Sequence, residues 1–385
     1  KFLHLVDTLS KSSPNAVFTP ENINEAFKYL YVTTLIEDHF IQLLNDKKDQ
    51  KSIIFLCGSS GDGKSAVIGR NYKDYEEYYS IHIDATHSFL PDHSAIEALD
   101  DVFSTFKVES KSLIVGINMG ILLNYAKEGS SEHNDIKVDI QKYDLEKKDS
   151  EMINFLNFED YPKFEMSNDL ISSTFIERLL NKITILSLNN PFYKAFIDDL
   201  DKDIYRIEHK NFYLLSNKAI QSSLIELLVT VHLKYDQFLT SRSILDLIHM
   251  LLKGPRLLID QLFESDSNSI LENIKKEDPI LYRTKQLDIF ILERSSKKSD
   301  LELEDFLYQF NNGCKIPILS IEYPHKLIKI FFLFKNSDCS TNYHKNFSDD
   351  FNDSSTLEFV KLIIANHNYN SETKKTIHGF YTQIR

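Results

Sequence analysis

The stretch IIFLCGSSGDGKSAVIGR, residues 53–70, sets Gly58, Gly61, Gly63 and Gly69, four of the chain's ten glycines, directly behind an apolar run. Ile53 to Cys57 read as a buried strand and the residues from Lys64 onward as a helix. The turn between them, Gly58-Ser59-Ser60-Gly61-Asp62-Gly63-Lys64-Ser65, satisfies the Walker A pattern, GxxxxGK followed by Ser or Thr, without a mismatch. Each part has its own physical reason. Glycines adopt backbone angles that aim several successive N–H groups at one anion, and without side chains they let phosphate oxygens approach. A helix opening at Lys64 and running through Ala66 points the positive end of its dipole at the same place. Lys64 adds a full charge for the β and γ phosphates, and the Ser65 hydroxyl can ligate Mg²⁺. Ser59, Ser60 and Asp62 offer backbone donors, with the Asp62 carboxylate expected to turn toward solvent. The pattern therefore predicts ATP or GTP with Mg²⁺ as ligand.

The surrounding sequence predicts an α/β fold of P-loop NTPase type, a mostly parallel sheet sandwiched by helices. Residues 21–46 carry apolar positions at helical spacing behind Thr19 and Pro20, which suit a helix start, and predict one long amphipathic helix. After the glycine turn come a helix to about Tyr75, a strand YYSIHIDA ending at Asp84, a helix AIEALDDVFSTF, and a strand SLIVGIN ending at Asn118. MGILLNYAKEG predicts a helix stopped by Gly129 as its C-terminal cap, and EMINFLNFEDYP a fourth strand leaving through Pro162. The domain reading is an N-terminal helical segment, 1–50; the core, 51–165; a helical lid, 166–292; and a C-terminal α or α+β region, 306–385. Between the last two, the charge-rich stretch 293–305 predicts a linker. KIPILSIEYP favours a strand, and HKLIKIFFLF fits strand or helix.

Composition narrows the function classes. The 57 acidic residues against 44 basic ones, net −13, do not suit a protein that coats nucleic acid by bulk charge, which needs Lys and Arg against phosphates. A local basic groove or a DNA-binding partner stays open. No stretch approaches the roughly 18 to 20 apolar residues of a membrane span. The opening KFLHLVDTLS has no initiator Met and no secretory signal, which reads as a trimmed piece of a cytoplasmic protein. Cys57, Cys314 and Cys339 form no CxxC pair, and His82, His87 and His93 lack metal spacing, so structural thiols are expected and no zinc site.

Hydrolysis needs an acid for the metal and a group for the attacking water. Asp84 is the strand-end carboxylate chosen for Mg²⁺, although a turn-capping aspartate would look the same. Asn118 stands where a polar sensor of the γ phosphate is useful, and equally where a plain helix cap belongs. Arg242, in FLTSRSILDLIHMLLKG, opens an amphipathic helix behind Thr240 and Ser241, as an arginine finger or as one half of an ion pair. Glu97, Asp100 and Asp101 read as a solvated helix face, and Glu159 and Asp160 as structural.

With the loop placed, FLCGSSGDGKS, HIDATHSFLPDHSAIEALDDVF, LIVGINMGILLNYAKEGS and NFLNFEDYPKF together resemble the DptF family of DNA phosphorothioation-dependent restriction proteins. The resemblance covers roughly residues 50–165. It implies an ATPase of a bacterial antiviral defence system, acting with other restriction proteins on DNA that lacks the host's sulfur-modified backbone, with DNA contacted directly or through those partners and with oligomers open. The phosphate-binding role falls on Gly58 through Ser65. Two further readings stand beside it: a nucleotide-dependent assembly module with negligible hydrolysis, favoured by the missing acid on the SLIVGIN strand, and a related BREX-type defence ATPase.

Overall fold

The computed structural model describes residues 1–10, 25–83, 94–161, 163–167, 170–296, 299–312, 323–335, 343, 347, 350–351, 354–367, 369–370 and 373–384. Among them the chain is mixed α/β, with one four-stranded, all-parallel sheet, a two-stranded antiparallel ribbon and many helices. It divides into two compact units: Pro14–Pro162 with Thr240–Ser243, and Lys1–Ser13 with Lys163–Leu239 and Ile244–Arg385.

The first unit carries α2 (Glu25–Leu30), α3 (Leu35–Lys47), β1 (Ile53–Cys57), α4 (Lys64–Asn71), β2 (Tyr79–Ile83), α5 (Ala95–Val108), β3 (Ser112–Ile117), α6 (Met119–Glu128), α7 (Asn134–Glu146) and β4 (Ile153–Asn157). Strand order is β2-β3-β1-β4, so β1 lies between β3 and β4. Every residue of β1 and β3 is buried, which is why both read as unbroken apolar runs: a parallel sheet covered on both faces has no solvent side to alternate against. Successive side chains still point to opposite faces. Ile53, Phe55 and Cys57 pack with Leu113, Val115, Ile117 and Phe155 against α5, α6 and α7. Ile54, Leu56 and Ile114 pack against Ile36, Phe40 and Leu44 of α3 and Val67 and Ile68 of α4. Helices therefore sandwich the sheet.

The expected single helix over residues 21–46 is interrupted. α2 ends at Leu30 and α3 begins at Leu35, with Thr34 extended at φ −122° and ψ 159°. Val32, Thr33 and Thr34 are β-branched, and that run disfavours helix. Thr19 and Pro20 lie outside the described residues. α4 stops at Asn71 and passes into a 3₁₀ turn, Tyr72–Asp74, so the helix is shorter than the expected one to Tyr75. Gly129 does end α6, in an extended conformation at φ −63° rather than a left-handed one. Glu97 closes a capping box with Ser94 at the start of α5, and Asp100 accepts from the Tyr125 hydroxyl at 2.6 Å and the Ser130 amide at 3.0 Å. His82 is buried on β2; His87, His93, Cys314 and Cys339 lie outside the described residues.

The second unit is mainly helical: α1 (Phe2–Asp7), the ribbon β5 (Glu165–Ser167) and β6 (Leu170–Ser172), then α8 (Thr174–Thr184), α9 (Pro191–Leu200), α10 (Ile207–Leu215), α11 (Lys218–Tyr235), α12 (Ser241–Lys253), α13 (Leu258–Glu264), α14 (Ser269–Lys275), α15 (Lys285–Ser295), α16 (Leu301–Asn312), α17 (Pro324–Leu333), α18 (Ser354–His367) and α19 (Thr373–Ile384). Residues 241–243 of α12 group with the first unit. Phe2 anchors α1 against Phe196, His209 and Phe212. The stretch expected as a linker, 293–305, contains the end of α15 and the start of α16, and buried Arg294 pairs with Asp300 at 3.3 Å. HKLIKIFFLF is helix, not strand. The strand expected in KIPILSIEYP falls mostly outside the described residues. No helix among the described residues is long and apolar enough to cross a membrane.

Candidate functional site

The glycine loop leaves the carboxyl end of β1 and enters α4, the edge at which parallel α/β sheets hold their ligands. Two of its glycines are required by backbone geometry. Gly61 has φ +86° and Gly63 φ +111°, in the left-handed region where a Cβ is penalised. Gly63 is the N-cap of α4, so the amides of Lys64 and Ser65 belong to the first turn, where no helical acceptor precedes them. The Ala66 amide is satisfied by the Gly63 carbonyl at 3.0 Å. Lys64 Nζ reaches back across the loop and donates to the Gly58 and Ser59 carbonyls at 2.8 and 2.9 Å. That places an ammonium group on the rim of the loop.

Asp62 corrects the expectation from sequence. Its side chain does not turn to solvent: the residue is 6% exposed, and Oδ2 accepts from the Ser59 amide at 2.8 Å. The Asp62 amide donates to the Ser59 carbonyl at 3.3 Å. Ser59 and Asp62 thus spend backbone donors on each other, while Ser60 is exposed.

Both neighbours of β1 end level with it, Cys57 standing opposite Ile117 on β3 and Asn157 on β4. Asn118, next after Ile117, caps α6 by accepting from the Gly120 amide at 2.8 Å. Asn157 accepts likewise from Glu159 at 3.2 Å and opens the 3₁₀ turn Phe158–Asp160. That turn lies against the loop. A Cβ on Gly58 would stand 3.0 Å from Phe158 Cδ2 and 3.2 Å from Asp62 Oδ2, so a side chain there would make the Phe158 ring or the Asp62 carboxylate give by a few tenths of an ångström.

Among the described residues, Glu159 and Asp160, which read as structural from the sequence, follow β4 in the turn that lies against the loop. Their fields are felt at its base: burial pushes the Cys57 thiol up to about 12, Lys64 opposes the rise, and Asp160 and Glu159 add to it. The available signal was an apolar strand, INFLN, followed by two acids. What was missing was the pairing of β4 with β1, a contact between residues about a hundred positions apart. Asp84 lies outside the described residues. The strand it follows, β2, is the sheet edge, with β3 between it and β1, two interstrand spacings or roughly 10 Å away.

A remote segment completes the surroundings. Arg242 comes to the loop through its backbone, its amide donating to the Gly61 carbonyl at 3.3 Å, and the Ser241 hydroxyl donates to the Asp62 carbonyl at 3.4 Å. Thr240 caps α12, its hydroxyl accepting from the Ser243 amide at 3.0 Å. No protein-family model, curated protein or solved structure matches the chain.

Proposed function

We propose that the glycine loop binds the phosphates of ATP and that the chain hydrolyses it with Mg²⁺. The observation that carries this reading is a loop with left-handed Gly61 and Gly63 that opens α4, with the Lys64 ammonium on its rim. Amides of the first helical turn supply oriented donors, and Lys64 supplies the charge that holds the terminal phosphates in line. The oxygen donors nearby suit a hard cation: the Ser65 hydroxyl, with Asp160 or Glu159 from the turn after β4. Bound there, Mg²⁺ supplies neutralisation of charge on the phosphate oxygens. The close packing of Phe158 on Gly58 keeps those acids beside the loop.

The resemblance carried by residues 50–165 extends the proposal to a cytoplasmic defence ATPase. Nucleotide turnover would drive assembly or activation of partner restriction proteins on DNA lacking phosphorothioate. A second reading, nucleotide-dependent assembly without turnover, is favoured by one observation: β3 ends in Asn118, already committed to capping α6. Phosphate release with and without unmodified DNA separates the two. Turnover that falls about a hundred-fold in Lys64→Ala supports the enzyme. Tight ATP binding without phosphate release selects the assembly module, and equal ATP affinity in Lys64→Ala and the natural chain overturns both.

A further inference from the structure

Two successive carbonyls of the glycine loop are held by a segment about 180 residues further along the chain. The Arg242 amide bonds the Gly61 carbonyl at 3.3 Å and the Ser241 hydroxyl bonds that of Asp62 at 3.4 Å. The contact is close. A Cβ on Gly61 would stand 3.1 Å from Thr240 Oγ1 and 3.2 Å from Arg242 Cβ. The segment is itself braced, since the Thr240 amide donates to Ser243 Oγ at 2.8 Å while the Ser243 amide donates to Thr240 Oγ1 at 3.0 Å.

In a trans peptide the carbonyl and the following N–H point opposite ways in one plane. Fixing the carbonyls of Gly61 and Asp62 therefore fixes the directions of the Asp62 and Gly63 amides. The Asp62 amide turns to the Ser59 carbonyl, closing the loop. The Gly63 amide is set at the start of α4, beside those of Lys64 and Ser65. Glycine has more backbone freedom to lose than any other residue, so a loop of this composition is costly to order at the moment of binding.

We propose that Thr240–Arg242 is a strut that pre-forms the glycine loop, holding the Gly61 and Asp62 peptides in place before a ligand arrives. Arg242 is in this respect a positioning residue acting through its backbone amide. The strut concerns the loop's conformation; only its consequence for ATP affinity rests on the function proposed above.

The test compares Arg242→Pro, which removes the amide hydrogen, with Arg242→Ala, which keeps it and loses the side chain. Proline is tolerated in the first turn of a helix, where the amide makes no helical bond. Amide hydrogen exchange of the peptide covering residues 58–66 is followed in the full chain without nucleotide, together with its melting temperature. Loss of one backbone bond predicts exchange about five-fold faster in Arg242→Pro than in Arg242→Ala. Equal exchange in the two overturns the strut. Should Arg242→Pro fail to fold, the double variant Thr240→Val with Ser241→Ala removes the side-chain bonds and leaves the backbone. Loop exchange about three-fold faster than in the natural chain then supports the strut, and unchanged exchange overturns it. Binding of a fluorescent ATP analogue is the second readout, with affinity expected about five-fold weaker in Arg242→Pro than in Arg242→Ala. An analogue that binds neither the natural chain nor any variant would overturn the nucleotide reading and leave the exchange result to judge the strut.

Discussion

The Ser59 amide donates to the Asp62 carboxylate at 2.8 Å and the Ser59 carbonyl accepts from the Asp62 amide at 3.3 Å, so these two residues close the glycine loop on itself. An aspartate in a loop proposed to bind phosphates looks misplaced by charge alone. Here its oxygen is bound to a backbone donor at 6% exposure, and it organises the turn.

Asp62→Ala removes that acceptor and leaves the Ser59 amide without it, which is expected to lower unfolding free energy by about 2 kcal/mol. Asp62→Asn keeps an acceptor oxygen and should lose less than half as much, with tighter ATP binding because a negative charge beside the phosphates is gone. Urea unfolding midpoints and ATP titration check both. An Asp62→Ala protein as stable as the natural chain would remove the bond from the account of the loop.

The second prediction sets Asp160 and Glu159 against Asp84. If the turn after β4 provides the acid, Asp160→Asn or Glu159→Gln lowers Mg²⁺-dependent phosphate release by about a hundred-fold while ATP binding without Mg²⁺ is kept. Asp84→Ala should fall by less than ten-fold, because β2 does not border β1. The reverse ranking returns the metal to the acid chosen from sequence. Asn118→Ala separates cap from sensor: a loss of about 1 kcal/mol of stability with turnover unchanged is the signature of a cap alone.

What could be read in advance was local. The glycine loop is a contiguous motif, and β1 and β3 are apolar runs because the sheet buries both faces. Which strand borders β1 depends on pairing between distant residues, and neither composition nor periodicity encodes it, so from sequence Glu159 and Asp160 read as structural. The same holds for Thr240–Ser243: the sequence shows a helix start with Arg242 as an arginine finger or one half of an ion pair, and nothing of the backbone bond from Arg242 to Gly61. α7 is absent from the sequence reading because its stripe of Ile136, Ile140 and Tyr143, all buried, is set among charged residues. The ribbon β5–β6 has three residues per strand, too few to show alternation.

Cys57 provides a third prediction. The thiolate is the reactive form, and with the thiol pushed up to about 12, about one molecule in ten thousand is ionised at pH 8. Iodoacetamide at pH 8 should leave the peptide carrying Cys57 unlabelled in the folded protein and label it fully in guanidinium, read by mass spectrometry. Rapid labelling of folded protein would mean that the base of the loop opens to solvent.

The last concerns α17, whose apolar run fitted strand or helix. As a helix it buries Leu327 to Leu333 on all sides, including Lys329, which is 4% exposed. Lys329 Nζ lies 2.7 Å from Glu264 Oε1 and 3.3 Å from Asp278 Oδ2. The two carboxylates respond in opposite directions. The bond from Lys329 holds Glu264 below its ordinary 4.5, so its contribution is present above that value and is lost as pH falls through the lower folded value. Burial raises Asp278 above 3.8, so that group favours the folded state as pH falls. Lys329→Met keeps the packing, removes the charge and leaves Asp278 buried without its cation, at an expected cost of about 3 kcal/mol at pH 7. Protonation of Asp278 relieves that cost, and the Glu264 contribution is lost in the natural chain as well. The stability difference between the two proteins should therefore narrow steadily from pH 7 to about pH 4 in urea unfolding. Equal stability of the two proteins across this range would show that Lys329 acts through its aliphatic stem, which methionine retains, and not through its charge.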